Sequence, residues 1–100
     1  MKYIRQLLFR CKNKEDLESL YFNLQELSQI KYIEKFVIMK CINQDKYDYI
    51  ESKYDCSVLL YFSNQNDIEK YCIHPFHTNF VETVLAKVDI SVIDYSINER

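Results

Sequence analysis

Apolar side chains mark four stretches of the chain as strands and recur at helical spacing along three others. Tyr3 to Cys11 mixes aromatic, β-branched and leucine side chains without helical spacing, which predicts a first strand. Asn13 then offers a helix cap, with Glu15 and Asp16 where carboxylates suit the helix dipole. Leu17, Leu20, Tyr21, Leu24 and Leu27 follow at steps of three and four, the mark of a one-sided amphipathic helix. Tyr32 to Ile42 alternates again as a second strand: Ile33, Val37, Met39 and Cys41 face one way, Phe36, Ile38 and Ile42 the other. Asn43 to Lys53 is polar and charged, with Tyr47, Tyr49 and Ile50 interspersed, and reads as a surface connection longer than a hairpin needs.

Cys56 to Phe62 is the third strand, with Cys56, Val58, Leu60 and Phe62 set against Leu59 and Tyr61. Ser63 or Asn64 can cap the next helix, whose inward positions are Ile68, Tyr71 and Cys72. Pro75 cannot continue that helix but can begin another, which leaves His74 at the junction. Phe76, Phe80, Val81, Val84 and Leu85 supply the apolar face of a third helix, and Val88 to Tyr95 closes the chain as a fourth strand. The order strand, helix, strand, strand, helix pair, strand predicts a four-stranded antiparallel sheet with all helices on one face. This is a ferredoxin-like β-α-β-β-α-β subunit of the α+β class. The strands are apolar on both faces, so the uncovered face calls for a partner. A homodimer with sheets packed face to face, burying at least about 1,200 Å² in total, meets that need.

Composition narrows the function classes. One hundred residues make one domain, 1–100. A net charge of −2 with both signs mixed gives no basic run for nucleic acid, and Ser57 to Phe62 lacks the charge that an RNA-binding strand needs. Met1 to Lys12 carries four cations around a short apolar run, neither a signal peptide nor a membrane helix, so a cytoplasmic location is expected. Cys11, Cys41, Cys56 and Cys72 are then reduced, and with no C-x-x-C pair they read as small buried hydrophobes. Glycine is absent where roughly seven would be ordinary. Any turn with positive φ must therefore fall on Asn or Asp, such as Asn13, Asn43 or Asn64.

Candidate chemistry concentrates between Tyr54 and His77. Tyr71-Cys72-Ile73-His74-Pro75-Phe76-His77 joins a phenol, both imidazoles and a fixed backbone break. These residues, with Tyr54-Asp55, the strand to Phe62, Phe80-Val81 and the late Asp94-Tyr95, resemble the stress-responsive A/B barrel family, Dabb. The resemblance covers nearly the whole chain and is strongest from Tyr54 to Tyr95. It implies a dimer closing into an α+β barrel, with a pocket between sheet and helices in each subunit. Many members have no established activity, and one plant branch is a cofactor-free polyketide cyclase performing an intramolecular aldol condensation. By motif position its base corresponds to His77 and its phenol to Tyr71. Two further histidines of that branch fall on Arg5 and Cys56, which with His74 complete the expected ligand pocket. Lys31-Tyr32 stands where the family often has Pro-Gly.

A neutral imidazole can take an acidified α-proton, and a protonated phenol can donate to the enolate oxygen that forms. The plainer roles are a capping His74 at the helix junction and a packed Tyr71 phenol with one hydrogen bond. Arg5 can hold a carboxylic ligand or pair with an acidic neighbour at the sheet edge. No metal and no cofactor are expected, since His74 and His77 have no carboxylate or thiol beside them to complete a ligand set. Three functions follow: a dimeric barrel binding a carboxylic or aromatic metabolite, a cofactor-free enzyme using His77 and Tyr71, or a non-catalytic stress protein whose assembly is its role.

Overall fold

A computed structural model describes residues 2–42 and 53–98. Four strands, β1 Tyr3–Cys11, β2 Lys35–Lys40, β3 Cys56–Phe62 and β4 Val88–Ser96, form one antiparallel sheet in the order β2-β3-β1-β4. The helices α1 Leu17–Leu27, α2 Gln65–Cys72 and α3 Pro75–Val84 connect them, with short 3-10 turns at Lys14–Asp16 and Leu85–Lys87. The connectivity is that of a ferredoxin-like subunit.

Alternation in the strands decides which side chains meet the helices. Leu7, Phe9 and Cys11 of β1 and Cys56, Val58, Leu60 and Phe62 of β3 point inward and are buried. Leu20, Leu24 and Leu27 of α1, Tyr71 of α2, and Phe80 and Val84 of α3 complete the same core. Burying a side chain of this size is worth about 1.5–3 kcal/mol, which fixes the strand register because a one-residue slip would expose the whole set.

The opposite face carries no covering layer, and the molecule is only 16 Å thick along its shortest axis. Leu8, Val37, Leu59 and Tyr61 are half-buried there, and Met39, Ile93 and Tyr95 are exposed. The face is less uniformly apolar than the alternation predicts. Tyr95 donates to Gln6 Oε1 at 3.1 Å, Gln6 Nε2 donates to Ser57 Oγ at 3.1 Å, and Tyr54 Oη lies 3.2 Å from Ser91 Oγ.

Several local expectations change. Asn13 and Asn64 cap their helical segments by accepting from Glu15 N and Asp67 N, but from φ of −123° and −156°. No described residue has positive φ, so these turns never needed glycine. The second strand is shorter than Tyr32 to Ile42, because Ile30 and Ile33 are held in turns by bonds to the carbonyls of Leu27 and Ile30. Phe76 and Leu85, expected on the inner face of α3, are 40% and 43% exposed at its two ends. The polar connection at 43–52, including Asn43, lies outside the described residues.

Candidate functional site

α2 buries one face through Tyr71, whose side chain is 2% exposed and packs on Phe62 with ring centroids 5.5 Å apart. The helix ends at Cys72, and His74 takes an extended backbone (φ −67°, ψ 140°) because Pro75 excludes the helical conformation before it. Pro75 then occupies the first turn of α3, where a missing N–H costs nothing. His74 serves as the cap: Phe76 N donates to its Nδ1 at 3.1 Å, and His77 N and Thr78 N donate to its carbonyl. The resulting bend brings Tyr71 and His77 together from different helices, with ring centroids 4.8 Å apart and planes inclined at 63°.

Both residues line a cavity of about 200 Å³ between the sheet and the helices, together with Arg5. The rest of its wall is apolar, drawn from Leu7 and Val92 of the sheet and Phe80 and Leu85 of the helical layer. Its size falls below the roughly 300–1,000 Å³ of drug-sized ligand pockets, so it suits a single ring or a short chain.

Burial among these apolar groups holds the His77 imidazole below its ordinary pKa; hydrogen bonding to the Cys72 backbone opposes this, and the positive charge of Arg5 adds to it. His77 is therefore neutral near pH 7. Burial pushes the Tyr71 phenol well above its usual value despite the nearby Arg5, so it stays protonated and able to donate. Its hydroxyl has no hydrogen-bond partner among the described residues. No fully buried polar side-chain atom among those residues lacks a partner, so this hydroxyl is not sealed in and opens on the cavity.

Arg5 is committed to an acidic neighbour. Its Nε donates to Asp94 Oδ1 at 2.8 Å and its Nη2 to Oδ2 at 3.1 Å, while Nη1 lies 3.5 Å from Cys72 Sγ. The Asp94 hydrogen bonds raise the guanidinium pKa further, and Arg5 holds the Asp94 carboxyl below the usual carboxylate range.

Arg5, Tyr71 and His77 therefore share one cavity, and the other two expected pocket residues do not line it. Cys56 pairs with Phe9 at the far end of the sheet, is 0% exposed, and has its thiol pushed up to about 12 by burial. The His74 ring faces Tyr32 and Phe76, at 6.4 and 5.0 Å between centroids. Among the described residues no group of three His, Cys, Asp or Glu side chains is placed to hold a metal. Asp94, which the sequence marks only as part of a motif, is the partner that fixes Arg5. Asp55, on the same footing, accepts from Cys11 N at 2.8 Å and Lys14 Nζ at 2.7 Å, tying the start of β3 to the end of β1.

Solved structures share this architecture. A Dabb family protein with a ferredoxin-like fold from Mesorhizobium loti is 23% identical, with 99% of this chain and all of that one aligned at a TM-score of 0.78. The Arabidopsis thaliana protein At3g17210 is 21% identical over 98% and 97% of the two chains, TM-score 0.77. A dimeric ferredoxin-like protein of unknown function from Jannaschia sp. CCS1 is 12% identical over 97% and 100%, TM-score 0.79. At these identities the likeness establishes the fold. Among curated proteins none matches the sequence. The Stress responsive A/B Barrel Domain matches residues 4–97, nearly the whole chain, and the protein belongs to this family, Dabb.

Proposed function

We propose that the protein is a homodimeric A/B barrel whose subunits each bind a small, uncharged, oxygen-bearing metabolite in the cavity between sheet and helices. The Tyr71 hydroxyl carries this reading: it sits on a side chain 2% exposed, without a protein partner among the described residues, and opens on a cavity it shares with neutral His77. A hydroxyl that opens on the cavity without a protein partner can donate to a ligand oxygen with no protein hydrogen bond to break. The expectation of a carboxylic ligand gives way, because Asp94 already compensates Arg5. The uncovered sheet face supports the dimer. Titration with benzamide, followed through the His77 and Tyr71 ring signals by NMR, tests the pocket. Saturable shifts confined to cavity residues are expected, and their absence up to millimolar concentration would refute it.

The Tyr71–His77 pair favours a second reading, cofactor-free proton transfer, in which His77 takes an α-proton and Tyr71 donates to the enolate oxygen. A methyl ketone in deuterated buffer would exchange its α-protons faster with the protein present, and His77→Ala would remove that acceleration. An acceleration that survives the substitution eliminates His77 as the base. A purely structural stress protein would more naturally fill this space with side chains, and the cavity counts against it.

A further inference from the structure

Arg5 and Asp94 are paired directly across β1 and β4, and the resulting fork is asymmetric. The Arg5 side chain is 20% exposed and that of Asp94 57%, so the guanidinium forms part of the cavity wall while the carboxylate reaches it from the solvent side. Arg5 also borders a wider groove of about 710 Å³ along α2, shared with Ile68 and Cys72. One cation thus borders both the inner cavity and the outer groove.

Three of the five guanidinium N–H donors have partners, two on Asp94 and one weakly on Cys72 Sγ. The remaining donors can still meet a ligand oxygen. What the cation no longer offers is an unbalanced positive charge, because the carboxylate sits in bidentate contact with it.

We propose that Asp94 is a specificity-determining residue: by capping Arg5 it makes the pocket select neutral oxygen-bearing ligands over anions of the same shape. This rests on the pocket reading above. An anion entering the cavity must shed its hydration among apolar walls, and recovers that loss only from a free countercharge. With Asp94 in place the guanidinium supplies none, and the other polar groups of the wall, Tyr71 and His77, are uncharged near pH 7. A neutral carbonyl or amide needs only donors, which Tyr71 and the remaining Arg5 hydrogens provide. Without Asp94 the same wall becomes an anion site, since a guanidinium in a poorly hydrated cavity attracts carboxylates strongly.

Benzamide and benzoate, nearly identical in shape and different in charge, are the probes, titrated at pH 7.5 against the His77 and Tyr71 ring signals. The wild-type protein is expected to bind benzamide about tenfold or more tightly than benzoate. Asp94→Asn, which keeps the side-chain volume, should reverse the order, whereas Asp94→Glu should restore the wild-type preference. In Arg5→Met no countercharge remains, so the preference for benzamide should persist and Asp94→Asn should no longer reverse it. If Asp94→Asn does not fold, Asp94→Ser serves in its place, at a position half exposed on an edge strand. Equal affinity for both probes in the wild type, or an unchanged ratio in Asp94→Asn or Asp94→Ser, overturns the selectivity and leaves the pocket standing. No response to either probe in any variant overturns the pocket, and the selectivity with it.

Discussion

Removing a single oxygen separates a functional Tyr71 from a structural one. In Tyr71→Phe the ring stays, and with it the contacts to Phe62 and His77 at 5.5 and 4.8 Å between centroids. A phenol hydroxyl bonded to the protein contributes about 0.5–1.5 kcal/mol, and its loss also strands the former partner at about 1–3 kcal/mol. The Tyr71 hydroxyl has no such partner among the described residues, so Tyr71→Phe should change stability by less than about 0.5 kcal/mol. Tyr71→Ala should cost about 3–5 kcal/mol, because it empties a site only 2% exposed. Urea unfolding followed by far-UV circular dichroism measures both, at one fixed protein concentration because association adds to apparent stability. The same Phe variant should lose the benzamide response, and any ketone exchange should fall by about 10²–10³-fold, the usual cost of deleting an oxyanion donor. A loss above about 1.5 kcal/mol in Tyr71→Phe, with the benzamide response intact, would assign the hydroxyl to the fold and refute the reasoning.

Three further outcomes follow from other parts of the molecule. Leu59→Lys places a charge on the open face at the middle of β3, away from the core, and should yield a folded monomer by sedimentation; a variant that remains dimeric refutes the sheet-face assembly. His77 has a folded pKa below its ordinary value, so the unfolded chain binds its proton first as pH falls. Its contribution to stability is complete above about pH 6.5 and is lost as pH falls through the depressed folded value, so His77→Gln should flatten the stability profile below about pH 6.5. His74→Ala should cost about 1 kcal/mol through the lost cap of α3, and His74→Asn should recover most of it; a lost benzamide response in His74→Asn would contradict the placement of His74 outside the cavity.

Burial patterns made much of the fold legible. Cys56–Phe62 and Tyr3–Cys11 emerge with the ends that alternation marks, because each must put a continuous set of side chains into the core. The second strand is shorter than its apolar content suggests because Ile30 and Ile33 find burial in turns, and apolar content alone does not separate the two cases. Within the site, Pro75 announces its own bend, and the bend joins Tyr71 to His77. The partner of Arg5 was beyond reach, since 89 positions separate it from Asp94 and only the β1–β4 register brings them together. The distance of Cys56 from the cavity has the same origin: it faces the helices as Arg5 does, but its rung pairs with Phe9 while Arg5 pairs with Leu60.

β1 and β4 carry two structures on alternate residues. Arg5, held by Asp94, forms part of the cavity wall on one face, while their neighbours Gln6 and Tyr95 are joined on the other by the 3.1 Å bond from Tyr95 to Gln6. A partner sheet packed on the open face would hold Gln6 and Tyr95 in place, and with them the backbone that sets the Arg5–Asp94 fork. The same contact would sit over exposed Ile93, which lies between Asp94 and Val92 of the cavity wall. Assembly should therefore stiffen the pocket without contributing a residue to it. Coupling through such a packed element is worth about 0.5–2 kcal/mol, a few-fold to about thirtyfold in affinity. The monomeric Leu59→Lys variant should accordingly bind benzamide more weakly by that factor, although position 59 lies on the face away from the cavity. A monomer that binds with the affinity of the dimer would mean that the helix layer alone sets the pocket and that the two faces of the sheet act independently.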